Sequence, residues 1–268
     1  MKKISWVTHP QYDIPLPKNH RFTSSKFSDL YNELKRIRLI DFAEIFIPEK
    51  ASVSDLIVAH EERYITKIIN GSLEGFEERR LGLKWSPELA NRSFLAVNGT
   101  LLTAMKAIEN GIACHIAGGT HHSHHNFGSG YCVFNDLAYT SIQLINKNLV
   151  KKILIFDCDV HQGDGTASIL EKNDNVFTCS IHCKNNFPAR KSISDFDVEL
   201  EDNLDSAQYL NVLNYTLKEC INRFKPDLVL YDAGVDIHIN DELGKLKVDD
   251  YGLKTRDETV LNYFKTLS

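Results

Sequence analysis

Residues 152–165 read KILIFDCDVHQGDG, and the fold turns on this stretch. Ile153, Leu154, Ile155 and Phe156 form a short apolar run of strand-forming residues. Such a run fits a strand buried on both faces of a parallel sheet. Asp157, Asp159 and His161 follow at intervals of two. Extended chain alternates its side chains with period two, so these three leave on one side at the C-terminal end of the strand. Open α/β sheets place their ligands at that end. Two carboxylates and an imidazole gathered beside an apolar strand need compensation, because unpaired buried charge is costly. A divalent cation is the usual form of it.

Outward from this strand, the second half of the chain alternates strand and helix with short connections. Helices are expected from 165 to 171, 206 to 224 and 248 to 267, and strands at 176–181 and 228–231. That order predicts a doubly wound, mostly parallel α/β sheet with helices on both faces. In the first half, strands are expected at 4–7, 42–47 and 112–117. Helical periodicity covers 27–40, 54–69 and 136–145. Ser86-Pro87 opens a long helix running to Glu109, as N-cap and first turn. The charged segment 71–82 reads as exposed chain. No repeat or linker divides the sequence, so one domain over 1–268 is expected. Its last strand is expected to be missing, because the pattern stops on a helix.

Composition narrows the class. With 43% apolar and 25% charged residues the chain is an ordinary globular protein. The net charge of −5 carries no basic footprint for direct nucleic-acid binding. No apolar run reaches the ~20 residues of a membrane span, and residues 1–17 lack the apolar core of a secretory leader. Six cysteines without a C-x-x-C pair suit reduced thiols in a cytoplasmic protein.

Two further stretches lie just after expected strands: 118–136, GGTHHSHHNFGSGYCVFND, and 231–236, YDAGVD. Asp159, His161 and Asp236 together make a three-ligand set with an open fourth position, the mark of a catalytic zinc site. Two carboxylates with one imidazole also suit iron(II). His121 and His122 are adjacent in a glycine-flanked loop, so at least one should face a cavity. Histidine is the natural general base near neutrality, and Asp157 and Asp164 are spare carboxylates to orient such rings. His124 and His125 read as exposed rim.

These motifs resemble those of the histone deacetylase superfamily, with its arginase–deacetylase fold. Gly118-Gly119-Thr120-His121-His122, the segment 130–136, the segment 157–165 and Ala233-Gly234-Val235-Asp236 occur in the family's order. The resemblance runs from His9-Pro10 to about Asp257 and is strongest to a class IV-like bacterial branch. It implies a zinc-dependent amide hydrolase that removes an acyl group from lysine or a related amine. Asp159, His161 and Asp236 would hold the metal. His122 would be general base and then acid, partnered by Asp164, with His121 and Asp157 beside it. Gly130 would meet the substrate amide, and Tyr131 and Phe187 would wall the acyl-lysine channel. Groups of Asp157, Asp159, His161, Ser180 and Ile181 would bind a monovalent cation, usually K⁺.

The family also places an oxyanion-stabilising tyrosine in a glycine-rich loop after a further strand, and the sequence stops at Ser268 without it. The expectation is a C-terminally incomplete domain, with turnover lowered ~10²–10³-fold by the lost donor, or an impaired binder of acyl-lysine or metal. Ureohydrolases of the same fold use two metals and a D-x-H-x-D box, whereas the spacing here is Asp159-x-His161-x-x-Asp164. Oligomeric state is not encoded in any of these motifs.

Overall fold

The apolar run at 153–156 is a strand with every residue buried, β4 (Ile153–Asp157). A computed structural model describes residues 3–23 and 25–266. The chain forms two compact units, one up to Asn146 and one from Lys147 onward. Each carries its own parallel sheet.

The N-terminal unit pairs β1 (Ile4–Val7) with β2 (Ala43–Phe46) on one side and β3 (Ala113–His115) on the other, both parallel. Its helices are α1 (Lys26–Arg36), α2 (Val53–Leu56), α3 (Glu62–Asn70), α4 (Gly75–Leu81), α5 (Pro87–Asn110) and α6 (Asp136–Asn146). The start of α5 follows its sequence signal: Ser86 Oγ accepts from the Leu89 N–H at 3.1 Å, with Pro87 in the first turn.

The C-terminal unit orders its strands β6-β5-β4-β7, all parallel, with β5 at Val176–Cys183, β6 at Phe196–Leu200 and β7 at Leu228–Asp232. Helices α7 (Asp164–Leu170), α8 (Ser206–Arg223) and α9 (Asp250–Lys265) complete it. Its core joins Leu154, Phe156 and Ile181 of the sheet to Leu213 and Leu217 of α8 and Val260 of α9. The strand order places β4 between β5 and β7, so the chain leaving β4 and the chain leaving β7 emerge side by side.

Four expectations need correction. The helix at 54–69 is two helices, α2 and α3. The chain breaks between them because Glu61 N–H and His60 Nδ1 turn to hold the carbonyls of His125 and His124, at 2.8 and 3.0 Å. The charged stretch 71–82 contains helix α4. A capping box of Glu74 and Glu77 starts it, Lys67 reaches Glu77 at 2.8 Å, and Leu81 is buried. Strand β6 has no counterpart in the sequence reading, although Phe196, Val198 and Leu200 alternate there with Asp197 and Glu199; the run is only five residues long and Leu200 alone is buried. The helix at 27–40 ends at Arg36, and a 3₁₀ turn, Leu39–Phe42, leads into β2. Residue 267, where the last helix was expected to end, lies outside the described residues.

Candidate active site

The end of β4 and the end of β7 are in register, Asp157 opposite Asp232. Two residues beyond Asp157 stands Asp159, and four beyond Asp232 stands Asp236. Three main-chain N–H groups fix the carboxylates. Asp159 N–H donates to Asp157 Oδ1 at 2.9 Å, Val160 N–H to Asp236 Oδ1 at 2.9 Å, and His161 N–H to Asp159 Oδ1 at 2.8 Å. His161 Nδ1 lies 3.0 Å from both Asp159 Oδ1 and Asp236 Oδ2. One oxygen or nitrogen from each of Asp159, His161 and Asp236 lies within 4.8 Å of the others. The three side chains are 15–20% exposed, so one side of the group stays open.

The electrostatics are those of a cation site. Burial raises the Asp236 carboxyl to about 6, and the charge of Asp159 pushes the same way. Burial lowers the His161 imidazole, but the bonds and charges of Asp159 and Asp236 outweigh it and lift it to about 9. Two carboxylates crowded round one imidazole hold negative charge in excess, and a divalent ion relieves it. An O₂N donor set with an open face suits zinc or iron(II).

Gly234 keeps this geometry possible. A Cβ on residue 234 would lie 2.6 Å from Asp159 Cα and 2.7 Å from Asp159 Cβ, contacts that only glycine avoids. Gly234→Ala is therefore expected to displace Asp159 and to lower affinity for divalent zinc by at least the ~10–100-fold seen when a ligand's supporting group is lost. Zinc titration of the purified variant checks it; an unchanged affinity would contradict the assigned packing.

Phe187 sits beside the trio, its ring 6.4 Å from that of His161, and is 44% exposed. Its loop is clamped by residues the sequence reading did not single out. Lys191 Nζ donates to the carbonyls of Asn186 and Pro188 at 2.6 and 2.7 Å, and Asn186 bonds to the main chain of Leu243 and Lys245. Asp157 and Ser180 are paired across the β4–β5 ladder, and with Ile181 they are buried. Asp164 is buried as the first residue of α7.

In the N-terminal unit, His121 and His122 are both buried, their ring centroids 4.2 Å apart. Asp136 anchors the loop before them. Its carboxylate accepts from the N–H groups of Gly119 and Thr120, from Thr120 Oγ1 and from Thr100 Oγ1, at 2.6–3.1 Å. Gly118 and Gly119 both take positive φ, +90° and +69°, which a side chain would resist. Asn135 Nδ2 donates to the carbonyls of His121 and Ser123 on the far side. Gly130 also has positive φ, and the Tyr131 ring lies 5.8 Å from His20 and 5.6 Å from Phe22. His125 is exposed as expected, whereas His124 is half-buried, its ring stacked on Phe127 at 4.4 Å.

His60 ties this loop to pH. Its Nε2 accepts from the Asn135 N–H at 2.9 Å, while Nδ1 faces the His124 carbonyl, so the ring must stay neutral. Burial lowers it to about 4. The unfolded chain takes up this proton near 6.5, the folded chain only near 4, so stability is lost as pH falls from about 6.5 towards 4. His115, lowered to about 4 chiefly by burial, acts in the same direction. Unfolding in urea at pH 5 is expected to show about 2 kcal/mol less stability than at pH 7 from His60 alone; equal stabilities would contradict this.

With this geometry in view, the comparisons are decisive. A model of the histone deacetylase domain matches residues 20–268. The chain belongs to the histone deacetylase family. An uncharacterized protein of Picosynechococcus sp. is 44% identical over 96% of this chain and 85% of its own length. Histone deacetylase 2 of Arabidopsis thaliana is 30% identical over 98% and 71%. The crystal structure of an HDAC homolog from Aquifex aeolicus superposes with a TM-score of 0.86 at 23% identity, over 98% of this chain and 77% of that one, a likeness of fold. The α/β architecture with helix-flanked parallel sheets is thus that of the deacetylase family. Membership makes the chain a hydrolase of deacetylase type, of a family that is generally metal-dependent. Among the described residues, no helix is long and apolar enough to cross a membrane.

Proposed function

We propose that this chain is a zinc-dependent amide hydrolase that removes an acyl group, acetyl above all, from an amine. The amine is a lysine of a protein or a small molecule of similar shape. The observation that carries this reading is the convergence of Asp159, His161 and Asp236. A divalent ion held there supplies Lewis-acid polarisation of the amide carbonyl and acidifies water. Iron(II) fits the same donors.

The family resemblance assigns the other roles. His122 takes the proton of the attacking water and returns it to the departing amine, so the amine leaves neutral. Asp164 is its partner, and His121 with Asp157 forms the neighbouring electrostatic pair. Gly130 meets the substrate amide through its main chain, and Tyr131 and Phe187 wall the channel. Asp157, Asp159, His161, Ser180 and Ile181 bind K⁺ through carbonyl and side-chain oxygens. In this reading residues 1–268 belong to a single deacetylase-like domain. The enzyme works in the cytoplasm, where its cysteines stay reduced; the six are free thiols, five of them buried.

The test is acetate release from an acetyl-lysine peptide by the zinc-loaded protein. Release in step with free lysine, lost on chelation and restored by zinc, is expected. Absence of release with one zinc bound per chain would reject the hydrolase reading, and two metals per chain would favour ureohydrolase chemistry.

A further inference from the structure

Helix α9 turns an unusual residue inward. At four-residue spacing its buried positions are Gly252, Arg256 and Val260, and Arg256 is fully buried. A buried guanidinium is tolerated only if its charge and its five donors find partners. Asp257 supplies the charge, accepting from Arg256 Nε at 2.9 Å and from the Tyr231 hydroxyl at 2.6 Å. Among the described residues Asp257 is the one carboxylate paired with Arg256, and the remaining nitrogens turn to the main chain. Nη1 donates to the carbonyl of Cys158 at 3.3 Å and to that of Gly234 at 2.5 Å, and Nη2 to that of Ala233 at 3.3 Å.

Those carbonyls belong to the two chain segments that carry the carboxylate ligands. Cys158 immediately precedes Asp159, and Ala233-Gly234 lies just before Asp236. One planar fork thus spans the ends of β4 and β7. Gly234 is also the residue packed directly against Asp159, so a shift of its carbonyl reaches that ligand without an intermediary.

We propose that Arg256 is a positioning residue for the metal centre, its guanidinium setting the separation of Asp159 and Asp236 through the carbonyls of Cys158, Ala233 and Gly234. This rests on the metal-site reading above. Methionine at 256 fills similar volume but releases all three carbonyls. Lysine keeps the charge, but its ammonium is a point donor without the planar fork that spans two segments.

The experiment is a zinc titration against a chromophoric chelator, with visible spectra of the Co²⁺-loaded protein, on full-length wild type, Arg256→Met, Arg256→Lys and Val260→Ala. Wild type is expected to bind one zinc. Arg256→Met should keep that stoichiometry, bind ~10–100-fold more weakly and show shifted Co²⁺ bands, with Arg256→Lys between the two. Val260→Ala removes core packing from the same helix without touching the carbonyls, so it should melt earlier yet bind zinc as wild type does. If Arg256→Met does not fold, Arg256→Lys carries the comparison by the same criteria. Unaltered affinity and spectrum in the Arg256 variants, or an equal loss in Val260→Ala, would overturn the proposal and leave the metal site standing. No zinc binding by wild type would overturn both.

Discussion

Asp236→Asn is expected to release the divalent ion and reduce acyl-lysine hydrolysis to the assay background. The reasoning starts from charge. Asp159 Oδ1 and Asp236 Oδ2 both lie 3.0 Å from His161 Nδ1, and burial together with the charge of Asp159 raises the Asp236 carboxyl. Asparagine keeps an oxygen for the Val160 N–H that Asp236 Oδ1 accepts, so the loop has no reason to move. What disappears is one anionic ligand of three. The metal-free variant should therefore melt no earlier than the metal-free wild type. The difference appears when zinc is added. At a zinc concentration 100 times its Kd, wild type gains about 2.7 kcal/mol of stability, while the variant at the same concentration gains almost none. Thermal melts with and without zinc, alongside acetate release, check both halves. Equal zinc stabilisation of the two proteins would remove Asp236 from the ligand set.

His122→Ala is expected to lower turnover ~10²–10⁴-fold, the range of a general acid–base group, while zinc binding stays at one per chain. His122 is buried in a loop pinned by Asp136 before it and Asn135 after it. The substitution removes an imidazole without removing either anchor. Steady-state kinetics on an acetyl-lysine peptide, with metal content measured on the same sample, separate a lost proton carrier from a lost ion. Turnover within a few-fold of wild type would assign the proton transfer to another group.

Much of the centre was legible because its signals are local. The run Ile153–Asp157 is a strand in the middle of its sheet, and interior parallel strands read as continuous apolar runs. The spacing of Asp157, Asp159 and His161 suggested one face of extended chain, but β4 ends at Asp157 and Asp159–His161 lie in the bend beyond it, where Asp159 and His161 meet Asp236. The paired glycines at 118 and 119 mark a backbone that a Cβ would not allow. What escaped reading depends on partners distant in sequence. Strand β6 is a short edge strand in which Phe196, Val198 and Leu200 alternate with two acids, a run of five too brief to stand out until it pairs with β5. Helix α4 looked like exposed charge because its capping box is two glutamates, and Lys67, ten residues earlier, neutralises Glu77. The break at 57–61 exists for the carbonyls of His124 and His125, more than sixty residues on. Arg256 left one trace, a charged residue on the inner face of a helical pattern, at a position where an apolar residue is the rule. Asp136 was visible as part of a motif, but its four-donor grip on the histidine loop appears only when Thr100 is brought to it.

The most direct test of the account is anomalous X-ray scattering at the zinc edge from crystals of the zinc-loaded protein. One peak per chain is predicted, about 2.0–2.2 Å from a carboxylate oxygen of Asp159, a carboxylate oxygen of Asp236 and Nδ1 of His161. A peak elsewhere, a second peak of equal strength beside the first, or no peak at these three residues would contradict it.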